Sequence, residues 1–457
     1  MSLYNDILFY LNYLDTIYWG YVGFLLVAFL GIYLSIKFQF FQIFKIKDII
    51  HEFFKVGRNF DRSKGIHPLK IFFSSVGGMV GIGNVVGIIT AVQIGGPGSL
   101  FWVWLAAPLG ALIKYSEIFL GMKYRITKNN TFEGGPMYYL KAAFKSKFFP
   151  ITVAILLCVY GVEIYQFNVI CDSLSDNMHI NKILIIPPFL MMVLYACRGG
   201  IKRVATICSI LMPFFMIFYT SMCFFIIIQN FSLIREVLAL VFKSAFTGHA
   251  AIGGFAGSSL IVAIKQGIST AVYSGDIGIG YDSIINSQSG NKDPSSQGSL
   301  AVLGIFIDNF ICTLSILVVL MSSLWQTGTQ MEGSKLIQLA FSKYFPYMNV
   351  FMPFFIFLTG YSTIIAYFAV GIKCASYLSP KKGDKIYYLY AIFALIFFSF
   401  FSQRVPLLIM SLSGAGLISI NLIGIYILRD KIQPPFMGEK VAMKDANEAQ
   451  IKEVIEQ

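Results

Sequence analysis

Two glycine-dense stretches, Ser75-V-G-G-M-V-G-I-G-N-V-V-G-Ile88 and Ser274-G-D-I-G-I-G-Tyr281, are where this sequence is best equipped for chemistry. Each interior glycine costs a helix about 1 kcal/mol relative to alanine, so such a density marks a helix that breaks. A break frees backbone N–H groups and carbonyls, which persist in a hydrocarbon layer only where they bind something or line a cavity. The N-terminal ends suit a substrate carboxylate, and the bare carbonyls suit a sodium ion or an ammonium group. Both stretches share the core V/I-G-I-G, at Val80 to Gly83 and at Ile277 to Gly280. Close packing through small residues would account for one such stretch. Two at matching positions point to a binding site made by a pair of discontinuous helices at the bilayer midplane.

Ionisable residues inside apolar segments are the second group, because an isolated charge there costs about 2.5 to 3.5 kcal/mol on insertion scales. They are Lys114, Glu117, Glu163, Lys265, Asp276, Asp282 and Asp308. Lys114 and Glu117, three apart on one helix face, read as a structural ion pair. Asp276 lies within the second break, where it either assists cation binding or carries a proton. Glu163 precedes Gln166 by one turn, so it either faces the same cavity or stands as a structural carboxylate away from it, the latter being the more ordinary reading. Asp308 and Lys265 read as cross-helix partners or supports of the fold. The histidines, His51, His67, His179 and His249, fall in loops or at segment ends, so no metal site other than one for sodium is expected.

The elements that must position these residues are membrane helices. The chain is 56% hydrophobic and only 13% charged, more apolar than the core of a soluble protein requires. Charges gather between apolar runs of about 18 to 28 residues, and about 20 such residues span the hydrocarbon layer as a helix. The alternating pattern of a membrane barrel is missing. Spans are expected at 17–36, 70–94, 99–122, 149–171, 181–197, 204–229, 250–285, 298–325, 348–378, 386–402 and 405–428, eleven in all. Thr131 to Lys147 fits an interfacial helix. Residues 1–16 contain no Lys or Arg, so the first apolar run reads as a retained span rather than a cleaved signal.

The net charge of +12 sits in loops, which argues against a nucleic-acid face and reports orientation instead. With the N-terminus outside, 27 cations fall on the cytoplasmic side and six on the other, which places the C-terminus inside. The seven cysteines mostly lie in or beside apolar runs without a C-x-x-C pair and read as packing residues. Setting the first span aside, the two glycine-dense stretches open the first and sixth of the remaining ten. The expected organisation is therefore an extra N-terminal helix with a basic loop (1–69), two five-helix repeats (70–229 and 230–430) and a tail (431–457).

G-G-M-V-G-I-G-N-V-V-G-I-I-T-A-V-Q-I-G-G-P-G-S-L-F-W-V-W from Gly77 to Trp104 resembles the alanine/glycine:cation symporter family. So do K-Y-S-E at Lys114, G-G-P-M-Y-Y-L at Gly134, Q-F-N at Gln166, K-D-P-S-S-Q-G at Lys292, F-I-D-N-F-I-C-T at Phe306 and S-T-I-I at Ser362. The resemblance implies an all-α polytopic membrane protein with a LeuT-type 5+5 inverted repeat preceded by one extra helix. By the same resemblance Gly81, Gly83, Asn84, Gln166, Asn168, Ser274, Gly275 and Tyr367 would hold the substrate. Val80, Asn84, Thr359, Ser362 and Thr363 would hold sodium, and hydroxyl and carbonyl oxygens suit such a hard cation. Where the family reads G-I-A-R-G-V-F-S-N-E-A-G-L-G-S-A, this chain has G-I-S-T-A-V-Y-S-G-D-I-G-I-G-Y-D from Gly267 to Asp282. Thr270, Gly275 and Asp276 thus replace an arginine, an asparagine and a glutamate, and Tyr367 replaces a tryptophan. The first break is preserved while the second is rewritten.

The function expected is sodium-coupled symport of a small neutral amino acid by alternating access, in a prokaryotic cytoplasmic membrane, with no cofactor beyond the coupling ion. Proton coupling through Asp276 is the alternative within transport, and a non-transporting ligand sensor the alternative of another class. An enzyme would need a nucleophile with a base or a metal cluster, and no P-loop occurs to bind a nucleotide.

Overall fold

The computed structural model describes residues 2–57, 60, 65–128, 131–247, 260–326 and 331–435. The part of the expected span 250–285 before residue 260, and residues 436–457 of the tail, lie outside the described residues. Helices α1 (Ser2–Ile17) and α2 (Gly23–Lys37) are joined by a π-turn at Tyr18–Val22, so the first helical run starts well before residue 17. After α3 (Phe41–Phe44) and α4 (Ile46–Val56) comes the first broken helix, α5 (Pro68–Met79) and α6 (Ile88–Gly95), with a π-turn at Gly83–Gly87 between them. Then follow α7 (Ser99–Lys123), α8 (Pro136–Phe144), α9 (Phe148–Tyr160), α10 (Ile164–Met178), α11 (Lys182–Arg198), α12 (Gly200–Gln229) and α13 (Ile234–Thr247). The second broken helix is α14 (Leu260–Ser274) with α15 (Tyr281–Ser287). The chain continues through α16 (Pro294–Met321), α17 (Gly333–Ser342), α18 (Met348–Leu378), α19 (Gly383–Phe398) and α20 (Arg404–Ile427).

Seven helical runs among the described residues are long and apolar enough to cross a membrane, and the α5–α6 pair, bent by 44°, makes an eighth. The expected spans at 181–197 and 386–402 correspond to α11 and α19, of 17 and 16 residues. The expected single span at 149–171 is interrupted at Gly161 to Glu163, where Glu163 has φ 56. The segment from Thr131 to Lys147 is not one helix. It opens with strand β2 (Thr131–Glu133), paired antiparallel to β1 (Ile126–Lys128), and α8 begins only at Pro136, which suits the first helical position.

The two broken helices run past one another: α14 packs on α6 and α15 on α5. Tyr281 Oη donates to the Ser74 carbonyl at 2.8 Å, and Ser75 Oγ donates to Asp282. At one end of the bundle the segment before α5 is stapled to the loop after α15. The Ile66 amide donates to Gln288 O and the Gly290 amide to Ile66 O, both at 2.8 Å. Arg125 completes the staple, donating to the carbonyls of Ser287 (3.1 Å), Ser289 (2.8 Å) and Asn291 (2.8 Å). Burial pulls the Arg125 guanidinium down to about 10, which leaves it charged at neutral pH. At the opposite end, α1, α14 and α20 surround a vestibule of about 390 Å³ that reaches down to Gly83 and Tyr273.

Candidate functional site

The first break is a rerouting of backbone hydrogen bonds. In an uninterrupted helix the Gly81 amide would donate to the Gly77 carbonyl. Here it turns to Met79 O (3.0 Å) and to Asn84 Oδ1 (3.0 Å). The next amide, Ile82, is met by Gln166 Oε1 from α10 at 3.4 Å. Two side-chain amide oxygens therefore cover the N–H groups that the broken helix exposes.

The freed Gly77 carbonyl accepts from Thr363 Oγ1 of α18 at 3.1 Å. Thr363 Oγ1 also lies 3.1 Å from the Thr359 carbonyl, and Ser362 Oγ lies 2.7 Å from that same carbonyl. Four oxygens thus cluster where α18 crosses the break, two from carbonyls and two from hydroxyls. Val80, fully buried, leaves the helical conformation beside them at φ −80 and ψ 83. Gly77 was not among the sequence-derived candidates. Its signal is the run Gly77-Gly78 at the very end of α5, where carbonyls must go unpaired.

From the second break, Ser274 Oγ donates to Asp308 Oδ2 of α16 at 3.2 Å, and Asn84 Nδ2 donates to Asp308 Oδ1 at 2.5 Å. Asp308 therefore ties the two breaks together. Lys114 does not pair with Glu117. Its ammonium is ion-paired with Asp282 and donates to the main-chain carbonyls of Gly275 (2.5 Å) and Asp276 (3.3 Å). Glu117 instead accepts from the Ser283 amide at 3.3 Å. The unwound second break inserts Asp282 and two bare carbonyls within reach of the ammonium, and an i, i+3 partner on the same helix cannot match that set. Lys265 likewise has no part with Asp308; it donates to Thr16 O at 3.1 Å, at the vestibule.

Asp276 and Tyr367 are buried and side by side, and Tyr367 stacks on Tyr281 with ring centroids 4.1 Å apart. Asp276 Oδ2 and the Tyr367 hydroxyl each make no hydrogen bond of ordinary geometry. A cavity of about 10 Å³, room for a single water, lies between Gly81, Gly83, Glu163, Gln166, Ser274 and Asp276. Gly83 and Tyr273 line both this cavity and the vestibule. Of the sequence-derived candidates, Val80, Gly81, Gly83, Asn84, Gln166, Ser274, Gly275, Asp276, Thr359, Ser362, Thr363 and Tyr367 are gathered at the two breaks. Asn168 stands apart. Two residues beyond Gln166, it turns to the other side of α10, donating to Phe401 O at 2.9 Å and accepting from Lys182 at 2.5 Å.

A Haemophilus influenzae protein described as an uncharacterized transporter is 30% identical over 83% of this chain and 84% of its own length. The sodium/alanine symporter AgcS of Methanococcus maripaludis is 26% identical over 93% of this chain and 95% of its own. Among solved structures, a substrate-bound, outward-open Na⁺-coupled sialic acid symporter aligns with a TM-score of 0.55 at 14% identity, covering 92% of this chain and 87% of that one, and so shares the all-helical LeuT-like fold. The family model for sodium:alanine symporters matches residues 5–440. The pair of broken helices and the oxygen cluster thus sit in a multi-pass membrane transporter, and the chain belongs to the sodium:alanine symporter family.

Proposed function

We propose that this chain takes up a small neutral amino acid of the alanine or glycine type, driven by sodium. The observation that carries the reading is the meeting of the Gly77 carbonyl, the Thr359 carbonyl and the Ser362 and Thr363 hydroxyls at the first break. With the Val80 carbonyl beside them, these oxygens supply neutral donors for a sodium ion. Next to that ion the Gly81 and Ile82 amides take the substrate carboxylate, displacing the oxygens of Asn84 and Gln166 that now cover them. Ser274, Gly275 and Tyr367 close the pocket from the second break and α18, with Asp276 as the coupling carboxylate. Asn168 supports α10 from behind.

The proposed frame has eleven spans, N-terminus out and C-terminus in, with an extra helix and basic loop in 1–69, repeats over 70–229 and 230–430 and a tail over 431–457, in a prokaryotic cytoplasmic membrane. The distribution of Lys and Arg supports this orientation. The vestibule then opens outward and the Arg125 staple closes the inner end. Alternating access exchanges these two closures around the fixed site.

Proteoliposomes given radiolabelled alanine or glycine will accumulate it under an imposed sodium gradient. Thr363→Ala will raise the sodium concentration for half-maximal uptake about 10- to 100-fold, because a hydrogen-bonding partner of a charged group is worth about 1.5–3 kcal/mol. An unchanged sodium dependence in Thr363→Ala would remove the ion from this place. Uptake of neither amino acid with sodium would overturn the reading as a whole.

A further inference from the structure

At the end of the bundle that the Arg125 staple closes, four helix ends meet around a cleft of about 490 Å³. α11 stops at Arg198, α12 starts at Gly200, α18 stops at Leu378 and α19 starts at Gly383. The cleft shares no lining residue with the inner cavity or the vestibule, and its volume falls in the range of about 300–1,000 Å³ usual for a ligand site. Its floor is apolar, with Leu194, Ile201, Ala369 and Ile372, while Arg198, Lys373 and Asp384 bring charge to it. On the flanking helices Met191 and Tyr195 of α11 and Ile386 and Leu389 of α19 are exposed. In a membrane protein such side chains face lipid, so the cleft opens beside the hydrocarbon layer.

Segments 198–203 and 373–385, far apart in sequence, hold seven cations against one acid, Asp384. Lys and Arg gather on one side of any membrane protein, and that alone needs no ligand. The cleft goes beyond this rule. Lys373 sits more than one turn before the end of α18, and its ammonium is drawn into the cleft instead of standing free. The carboxylate nearest to it, Glu133, is 3.9 Å away and already answers Lys128 at 3.8 Å and the Tyr138 hydroxyl at 3.1 Å. Arg203 is committed to Tyr195, donating to its carbonyl at 2.9 Å and lying over its ring. The Arg198 guanidinium, by contrast, meets no hydrogen-bond or ion-pair partner among the described residues. The C-terminal end of α11 suits one cation, and the first turn of α19 suits the acid Asp384. Neither accounts for two under-answered cations, one of them a guanidinium shaped for a two-oxygen acceptor, over an apolar floor.

We propose that this cleft binds one anionic phospholipid. Its phosphate is held by Arg198 and Lys373, and the start of an acyl chain covers the floor at Leu194, Ile201 and Ile372. A soluble phosphate would leave that floor uncovered, and a zwitterionic lipid would bring a cation to the two already there. Basic pockets between membrane helices on the cytoplasmic side hold lipid head groups by this combination, and the proposed orientation puts the cleft on that side. The site bears on transport through α18, because Lys373 stands ten residues beyond Thr363, about 15 Å along the same helix. A bound head group therefore ties the inner end of the helix that carries the oxygen cluster to α11 and α19. This binding depends on the membrane setting of the chain and not on its substrate or coupling ion.

The test is native mass spectrometry of the full-length, delipidated protein in detergent, with phosphatidylglycerol or phosphatidylcholine of identical acyl chains added. One phosphatidylglycerol is expected to stay bound under activation that strips phosphatidylcholine. Arg198→Gln/Lys373→Gln should weaken its apparent affinity about ten-fold or more, as the loss of hydrogen bonds to a charged group predicts. Lys381→Gln/Lys382→Gln removes two cations of the same loop that do not line the cleft, and should change the affinity far less. If the first double variant does not fold, Arg198→Gln alone is read in the same way, since the exposed guanidinium supports no contact of the folded chain. Equal retention of the two lipids, or undiminished phosphatidylglycerol binding in the Arg198 and Lys373 variants, would overturn the site. An equal loss in Lys381→Gln/Lys382→Gln would overturn it too, by reducing the attraction to a diffuse surface potential. Inorganic phosphate that displaces the lipid at matching concentration would make this a soluble-anion site and overturn the lipid assignment.

Discussion

Lys114→Met will cost the folded protein about 3–5 kcal/mol, because it strands the Asp282 carboxylate in a fully buried position without its counter-charge. Asp282→Leu will do comparable damage by stranding the ammonium. The double variant Lys114→Met/Asp282→Leu should recover a large part of the loss, since a buried ion pair replaced by apolar side chains of similar bulk is often close to neutral. Equilibrium unfolding of the three variants in mixed micelles by increasing SDS checks this. Additive losses in the double variant would mean that the pair is not coupled. The recovered double variant should still transport poorly, because the Lys114 ammonium also holds the unwound carbonyls of Gly275 and Asp276. Stability and transport are expected to part company at this pair, and that separation assigns the ion pair to the fold and the ammonium's backbone contacts to the site.

Gly81→Ala will reduce sodium-driven uptake roughly ten-fold or more while leaving the protein folded. The added Cβ would lie 2.8 Å from Thr363 Oγ1 and 3.0 Å from Gln166 Oε1, tighter than carbon meets oxygen without displacement. Overpacking of this kind costs about 1–3 kcal/mol, and here the groups forced aside are the proposed sodium ligand and the cap of the Ile82 amide. Gly87→Ala is the matched control. It lies in the same broken helix at φ −62 and ψ −38, with nothing within 4 Å of an added Cβ. Alanine also favours the helical state over glycine by about 1 kcal/mol. Transport rates of the two variants at equal expression make the comparison, and equal rates would mean that the joint at Gly81 has slack the packing does not suggest.

Much of this architecture is legible in the sequence because the membrane imposes local rules. Apolar run length marks helices, and glycine density marks the two breaks at Val80 to Gly83 and Gly275 to Gly280. The third interruption, at Glu163, escapes such a reading because Gly161 is a lone glycine in an otherwise apolar run, and the left-handed residue there is a glutamate rather than a glycine. Partner choice is equally hidden. Lys114 and Glu117 have the spacing of a helical ion pair, yet a partner distant in sequence and fixed by the fold wins, because burial rewards the most complete set of acceptors. The same holds for Asn168: the Q-x-N spacing turns its side chain about 200° around the helix from Gln166. It therefore serves the α10–α19 contact instead of the break.

The Arg125 staple has a temporal consequence. Three guanidinium bonds and the paired backbone amides of Ile66 and Gly290 hold one end of the two broken helices together, and all of them must part together if that end is to admit water. A cluster that opens only as a unit turns a gradual breathing motion into an infrequent, all-or-none event. The Ile66 and Gly290 amides are then a built-in stopwatch for the cycle. Their exchange with heavy water would report the fraction of time that end stands open, rising when the transporter turns over and falling when it idles.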